Sequence, residues 1–326
     1  MQVQFLPGAF VGTKVIAVVG PTASGKSALA VRLARQFNGE MISADSRQVY
    51  RGLNIGSGKI TKREMKGVPH YLLDVANPKR PSFTVAQYQK LAKLALENII
   101  QRKKTPIVCG GTGFYINALR DNLILPPIAP NPKLRQQLDR LDDRQLYLKL
   151  KRLDPKRAGN IDPYNRRRLI RAIEITTMLG RVPSLVIKGN PSVKGSPWHW
   201  LMLGIKLSPE ELRKKIDARL KFRINHGLIA EVRRLHRNGV SWKRLDELGL
   251  EYRYVAKFLR QQKHPLEMAF LERQLSTVIW HYAKRQMTWF KRDKTIQWVE
   301  NYREAERLTM VFLRKSGKII KIGKGL

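Results

Sequence analysis

An eight-residue run, Gly20-Pro21-Thr22-Ala23-Ser24-Gly25-Lys26-Ser27, constrains this chain more than any other feature. It follows an apolar β-type stretch, Val15 to Val19, and runs into an amphipathic helix, Ala28 to Phe37. In that context the spacing of two glycines, lysine and serine makes a loop whose backbone N–H groups point inward at phosphate oxygens. Lys26 adds a point charge, and the Ser27 hydroxyl is a candidate Mg²⁺ ligand. A chain that opens this way folds as an α/β protein with ligands at the carboxyl ends of its strands.

The next segments repeat the strand–helix alternation. Glu40 to Ala44 reads as a strand ending in Asp45-Ser46. Phe83 to Lys104 reads as a long helix with apolar residues near helical spacing, and Pro106 to Cys109 as a strand ending in Gly110-Gly111-Thr112. Four prolines between Pro126 and Pro132 then mark a domain exit. Lys133 to Gly180 reads as all-helical with Gly180 as C-cap, and a Pro/Gly/Ser-rich segment, Arg181 to Pro197, leads to a strand-like run, Leu201 to Leu207. Ser208-Pro209-Glu210-Glu211 has the form of an N-cap with proline in the first turn. The remainder reads as helical and basic, with a short β-like tail at Lys318 to Ile322. The expected fold is a P-loop NTPase-like parallel sheet flanked by helices, with an all-helical insertion domain. Its parts are residues 1–128, the insertion 129–197, and a second core segment 198–326.

Charge narrows the partners. The chain carries 63 lysines and arginines against 25 acids, a formal net charge of +38 spread along its length. A genome rich in lysine codons would produce some of this, but the balance suits a polyanion, and RNA above all. The single cysteine, Cys109, excludes a disulfide framework and a CxxC zinc module, and fits a reducing cytoplasm. No apolar run is long enough for a membrane helix, and no signal peptide is evident at residues 1–11. Nothing calls for an obligate oligomer, so a monomer is expected.

The residues allow more than one chemistry. An ATPase normally shows an apolar strand ending in an acid, but Ile107-Val108-Cys109 ends in Gly-Gly-Thr, and Asp74 is a weak substitute. The loop therefore suits gripping a phosphate group rather than hydrolysing a γ-phosphate. This counts against a P-loop kinase and against a nucleotide-switched RNA-binding protein. Asp45 is either a general base aimed at a nucleophile or the acceptor of an Asx-turn. Thr112 either donates to phosphate or substrate, or caps the next helix. On Arg166 to Arg171, Arg168 and Arg171 share a face opposite Ile170 and Ile173, which fits a phosphodiester backbone or a solvated basic surface. The aromatics of Lys284 to Phe290 either stack bases or belong to the core, and core is the better reading.

Taken in order, these segments resemble the tRNA dimethylallyltransferase family, the bacterial tRNA isopentenyltransferases. The matching stretches are GPTASGKS (20–27), ISADSRQVYRGLNIGSGK (42–59), VPHYLLD (68–74), PIVCGGTGFYINAL (106–119), RRRLIRAIEI (166–175), IDARL (216–220), LGLEYR (248–253) and AKRQMTWF (283–290). The resemblance implies that the loop Gly20 to Ser27 holds the diphosphate of dimethylallyl diphosphate through Thr22, Lys26 and Ser27, with Mg²⁺ at Ser27. It implies that Arg219 reaches the same diphosphate as it leaves. Asp45 would take a proton from the exocyclic N6 of the adenosine just 3′ of the anticodon while that nitrogen attacks the allylic C1. Contacts to the tRNA anticodon stem-loop would fall on Asp45, Ser46, Arg47, Gln48, Thr112, Arg135, Arg167, Arg168, Leu169, Ile170, Arg171, Leu248, Gly249, Leu250, Glu251, Tyr252 and Arg253. Prenylation of free adenine nucleotides is the sister activity, and it would leave those tRNA segments unused. The eukaryotic members' C-terminal zinc finger is absent. Three departures from the family pattern stand out: Ser57-Gly58 in place of Thr-Ala, Glu251 where glycine is common, and Trp280 where an arginine usually supplies a phosphate contact.

Overall fold

The computed structural model describes residues 13–183, 197–261 and 268–314. The β-like tail expected at Lys318 to Ile322 and most of the Arg181–Pro197 segment lie outside the described residues. The chain divides into two compact units, one formed by Met1–Asn122 with Gly195–Leu326, the other by Leu123–Lys194.

The first unit is built on six parallel strands: β1 (Thr13–Val19), β2 (Gly39–Ser43), β3 (His70–Tyr71), β4 (Thr105–Gly110), β5 (Trp198–Ile205) and β6 (Ile296–Val299). Their spatial order is β3-β2-β4-β1-β5-β6. The all-parallel sheet expected from the strand–helix alternation is thus present. β4 lies between β1 and β2, so Asp45 at the end of β2 is one strand removed from the phosphate loop at the end of β1.

Side chains alternate across the sheet with the period of a strand. Val15, Ala17 and Val19 face one core with α3 (Val85–Gln101) and α4 (Gly113–Arg120). Ile16 and Val18 face the other, with α1 (Lys26–Gln36) and α14 (Tyr302–Arg314). Both faces being covered explains why these strands read as continuous apolar runs. Helix α3 starts where Thr84 and Gln87 exchange bonds in a capping box, as Thr61 and Glu64 do for the one-turn α2 (Lys62–Met65). A third core belongs to helices alone: α9 (Pro209–Asn225), α10 (Leu228–Arg237), α11 (Trp242–Leu248), α12 (Leu250–Arg260) and α13 (Met268–Lys291), closing over Val49, Tyr50 and Leu53. Ser208 caps α9 with Glu211 in a capping box and Pro209 in the first turn, as its sequence indicates.

The second unit is helical: α5 (Pro132–Leu138), α6 (Asp143–Leu153), α7 (Pro155–Ala158) and α8 (Arg166–Leu179). Leu138, Leu146, Leu150, Leu169 and Ile173 form its core. Gly180 ends α8 at φ 72°, the left-handed C-cap expected there. None of the described helices is long and apolar enough to cross a membrane.

Candidate active site

The phosphate loop joins β1 to α1 at the carboxyl edge of the sheet. Gly25 at φ 89° is the N-cap of α1 and makes no side-chain cap, so the first N–H groups of an eleven-residue helix stay open to an anion. Lys26 folds over the loop and donates from Nζ to the Pro21 carbonyl at 3.0 Å. Burial lowers the Lys26 pKa; the nearby Cys109 and Asp45 oppose that shift, while Arg219 and Arg223 reinforce it. A desolvated ammonium flanked by two guanidiniums favours an arriving anion.

The loop is fixed by a residue that sequence reasoning passed over. Gln286 accepts from the Thr22 N–H at 2.8 Å and donates from Nε2 to the Gly111 carbonyl at 2.7 Å. It ties the phosphate loop to the turn after β4. That turn also approaches β2 closely: the Ala44 N–H bonds the Cys109 carbonyl, and a Cβ on Gly110 would sit 2.1 Å from the Ala44 carbonyl oxygen. Only glycine fits there.

Asp45 fulfils the turn reading without exhausting its carboxylate. Oδ1 accepts from the Arg47 N–H at 2.8 Å and the Gln48 N–H at 3.3 Å, an Asx-turn. Oδ2 accepts no hydrogen bond among the described residues. Of its two expected parts Thr112 does not take the cap, since it makes no side-chain bond to α4. Its Oγ1 accepts from the Ser46 N–H at 3.0 Å, fixing the segment that carries Asp45. Gln48 donates to the Gly58 carbonyl and accepts from Ser43, while Arg47 lies against Gly249. Asp74, the weak Walker-type candidate, is engaged by Lys59 at 2.5 Å.

Arg219 reaches the same region from α9, donating from Nη2 to the Gly58 carbonyl at 3.3 Å. Burial, and then the repulsion of Arg223, push its pKa down to about 10. Arg223 and Glu251, both buried, form an ion pair at 2.8 Å. Glu251 therefore serves as a counter-ion inside the protein. Tyr252 and Leu248 are buried as well. The Tyr252 hydroxyl donates to Glu231 and accepts from the Ser57 N–H. Glu231, 1% exposed, also accepts from the N–H groups of Asn54, Ile55 and Gly56. These residues shape the site rather than presenting surface. Arg253 donates to the Asp246 carbonyl, and Leu250 begins α12 at φ 42°.

In the second unit the arginines separate into two kinds. Arg135 makes a two-pronged contact with Glu174 at 2.7 and 2.8 Å, and Arg171 bonds Glu174 and the Ile128 carbonyl. Burial opposes ionisation of Glu174, but these bonds outweigh it and hold its pKa below the usual value. Arg135 and Arg171 are thus crosslinks within their unit. Leu169 and Ile170 point into its core, so their side chains are closed to a ligand. Arg167 and Arg168 are exposed and make no side-chain bond to the protein among the described residues. Trp280 packs partly buried against the helical core, with Arg213 and Lys284 each 5.7 Å from its ring centre, so cations remain beside the position of the missing arginine. Of the aromatics near Gln286, Phe290 is core and Trp289 packs against it.

Comparison with known proteins agrees with this layout. The IPP transferase family model matches residues 48–293. A tRNA dimethylallyltransferase of Thermomicrobium roseum is 40% identical over 290 residues, covering 88% of this chain and 86% of that protein. One from Halothermothrix orenii is 36% identical, covering 92% and 93%. The crystal structure of a tRNA isopentenylpyrophosphate transferase from Bacillus halodurans superposes with TM-score 0.65 at 33% identity, covering 92% of this chain and 94% of that one. A eukaryotic dimethylallyltransferase described as acting on tRNA superposes with TM-score 0.74 at 25% identity, covering 92% and 77%. With a P-loop at the head of an all-parallel sheet, and with relatives matched over nearly their full length, the chain belongs to the tRNA dimethylallyltransferase family.

Proposed function

We propose that this protein transfers the dimethylallyl group of dimethylallyl diphosphate to N6 of the adenosine 3′-adjacent to the anticodon of a tRNA. The observation that carries the reading is the unused acceptor oxygen of Asp45. One carboxylate oxygen is spent on a turn and the other accepts no hydrogen bond among the described residues, while the Asp45 charge acts on both Lys26 and Arg219.

The diphosphate would lie in the loop Gly20 to Ser27, on the open N–H groups of α1, with Lys26 and Arg219 on its oxygens. An exocyclic amine is a poor nucleophile, so position and proton removal must do much of the work. As N6 attacks C1, the C1–O bond breaks, its electron pair leaves with the diphosphate, and the N6 proton passes to Asp45 Oδ2. Cations and backbone N–H groups offset the charge growing on the departing group. Taking the base out of its stack costs a few kcal/mol, least in a single-stranded loop.

The donor set fits Mg²⁺ in the manner of phosphate-bound ions. No group of three or more carboxylate, histidine or cysteine side chains lies together among the described residues, so there is no protein cage. Magnesium needs only one or two protein ligands when phosphate supplies the rest, and Ser27 is available at the start of α1. Bound there, it would neutralise diphosphate charge. The exposed Arg167 and Arg168 of the second unit would take tRNA phosphates.

Offering labelled dimethylallyl diphosphate with AMP and with tRNA in separate reactions tests the reading. Label passing to tRNA supports it. Label passing to AMP instead would make the protein a free-nucleotide prenyltransferase, and RNA-stimulated ATP hydrolysis without transfer would replace it with an ATPase.

A further inference from the structure

Two of the three departures from the family pattern, Gly58 and Glu251, meet at one buried residue, Arg223. Arg219 and Arg223 are four residues apart on α9 and so share a face. A Cβ placed on Gly58 would stand 1.8 Å from Nη2 of Arg219 and 1.8 Å from Nη2 of Arg223. Two radii of 1.8 Å from one point leave the guanidinium tips no more than about 3.6 Å apart. Gly58 also has φ 59°, so a side chain here would meet strain as well as collision.

Two like charges this close, one of them on a residue only 6% exposed, repel strongly unless an anion sits between or beside them. The protein supplies one partner. Glu251 takes Nη1 of Arg223 at 2.8 Å, and the Gly56 carbonyl takes the same nitrogen at 3.3 Å. Nη2 of Arg223 donates to no acceptor among the described residues, and Arg219 has a single bond, to the Gly58 carbonyl. Asp45 and the exposed Glu64 also act on Arg219, but neither bonds either guanidinium, so among the described residues Glu251 is the one carboxylate in contact with the pair. A purely structural ion pair between Arg223 and Glu251 would need neither a second guanidinium against it nor an absent side chain at residue 58. The surrounding loop is held for a fixed geometry: Glu231 binds the N–H groups of residues 54 to 56, and Tyr252 binds that of Ser57.

We propose that Arg223 is a second guanidinium for the departing diphosphate, given room beside Arg219 by Gly58 and held in place by Glu251, so that the leaving group is gripped by a two-arginine clamp. Planar forks bind phosphate oxygens in pairs, and two of them span a diphosphate better than one. The inference rests on the reading of the phosphate loop as a diphosphate site.

The test is calorimetric binding of inorganic pyrophosphate with Mg²⁺. The variant is Arg223→Gln combined with Glu251→Gln, which removes both buried charges and leaves neither unpaired. The expected result is at least a tenfold loss of pyrophosphate affinity and a fall in transfer kcat, with the KM for tRNA unchanged. A folded double variant that binds pyrophosphate as the wild type does would overturn the clamp. Arg223→Lys provides a second route, since it keeps a cation opposite Glu251 but loses the donor facing Arg219. It should weaken binding several-fold, and wild-type affinity would again refute the proposal. Lys26→Ala separates the two levels. Wild-type protein that binds no pyrophosphate would sink the diphosphate reading itself. Loss in Lys26→Ala with no loss in either Arg223 variant would sink only the clamp.

Discussion

Asp45 carries two separable duties, and replacing it by asparagine or alanine pulls them apart. Asparagine keeps a carbonyl oxygen for the Arg47 and Gln48 N–H groups, so the turn survives while the proton acceptor is lost. General-base catalysis contributes about 10²–10⁴ in rate, equivalent to about 3–5 kcal/mol of barrier. Asp45→Asn should therefore lose that factor with its melting temperature almost unchanged. Alanine also removes two hydrogen bonds, each worth ~0.5–1.5 kcal/mol, so Asp45→Ala should lose a similar rate and melt several degrees lower. Single-turnover transfer from labelled dimethylallyl diphosphate at saturating tRNA, beside thermal denaturation of each variant, reads both effects. Transfer by Asp45→Asn within threefold of wild type would refute the base assignment. An asparagine variant that melts as low as the alanine one would refute the turn.

Four further outcomes follow from the same geometry. Gln286→Leu strands the Thr22 N–H and the Gly111 carbonyl, so urea denaturation should show a loss of about 2–5 kcal/mol and calorimetry a weaker pyrophosphate site; a stable variant with intact binding contradicts the staple. Arg167→Ala with Arg168→Ala should reduce the log–log salt slope of tRNA binding by roughly 0.7 to 0.9 per lost phosphate contact. Arg171→Ala should instead destabilise the protein, because it opens the Glu174 crosslink; an unchanged slope in the first variant removes that surface from the interface. The pH dependence is set by Arg219: a bound anion raises its pKa above the value of about 10 in the free protein. Its contribution to pyrophosphate affinity is thus full below pH 10 and falls as pH rises above that value toward the raised pKa of the complex. Flat affinity from pH 8 to 11 would contradict this.

What was legible in the sequence is what local chemistry encodes. The phosphate loop needs only its own eight residues and a strand before it. The caps at Ser208 and Gly180 likewise depend on a few neighbours. Strands β3 and β6 were missed because they hold two and four residues, too few for periodicity to register. The part of Gln286 was hidden because its partners, Thr22 and Gly111, are 264 and 175 residues away. The same distance hid Glu231 beneath the loop at residues 54 to 56. Arg171 reads as a surface cation and the resemblance puts Arg135 on the tRNA, because nothing in the string RRRLIRAIEI says that Glu174 turns inward to collect both. Leu169 and Ile170 share a motif with exposed arginines, yet a helix places successive residues on different faces. Glu251 read as a minor departure and is the counter-ion of a buried arginine.

The most direct measurement of the central claim is nucleoside analysis of unmodified tRNA incubated with the purified protein, Mg²⁺ and dimethylallyl diphosphate. The account predicts N6-dimethylallyl-adenosine at the position just 3′ of the anticodon, with one diphosphate released for each group transferred. Unmodified adenosine at that position, from protein that nonetheless binds both tRNA and pyrophosphate, would contradict it.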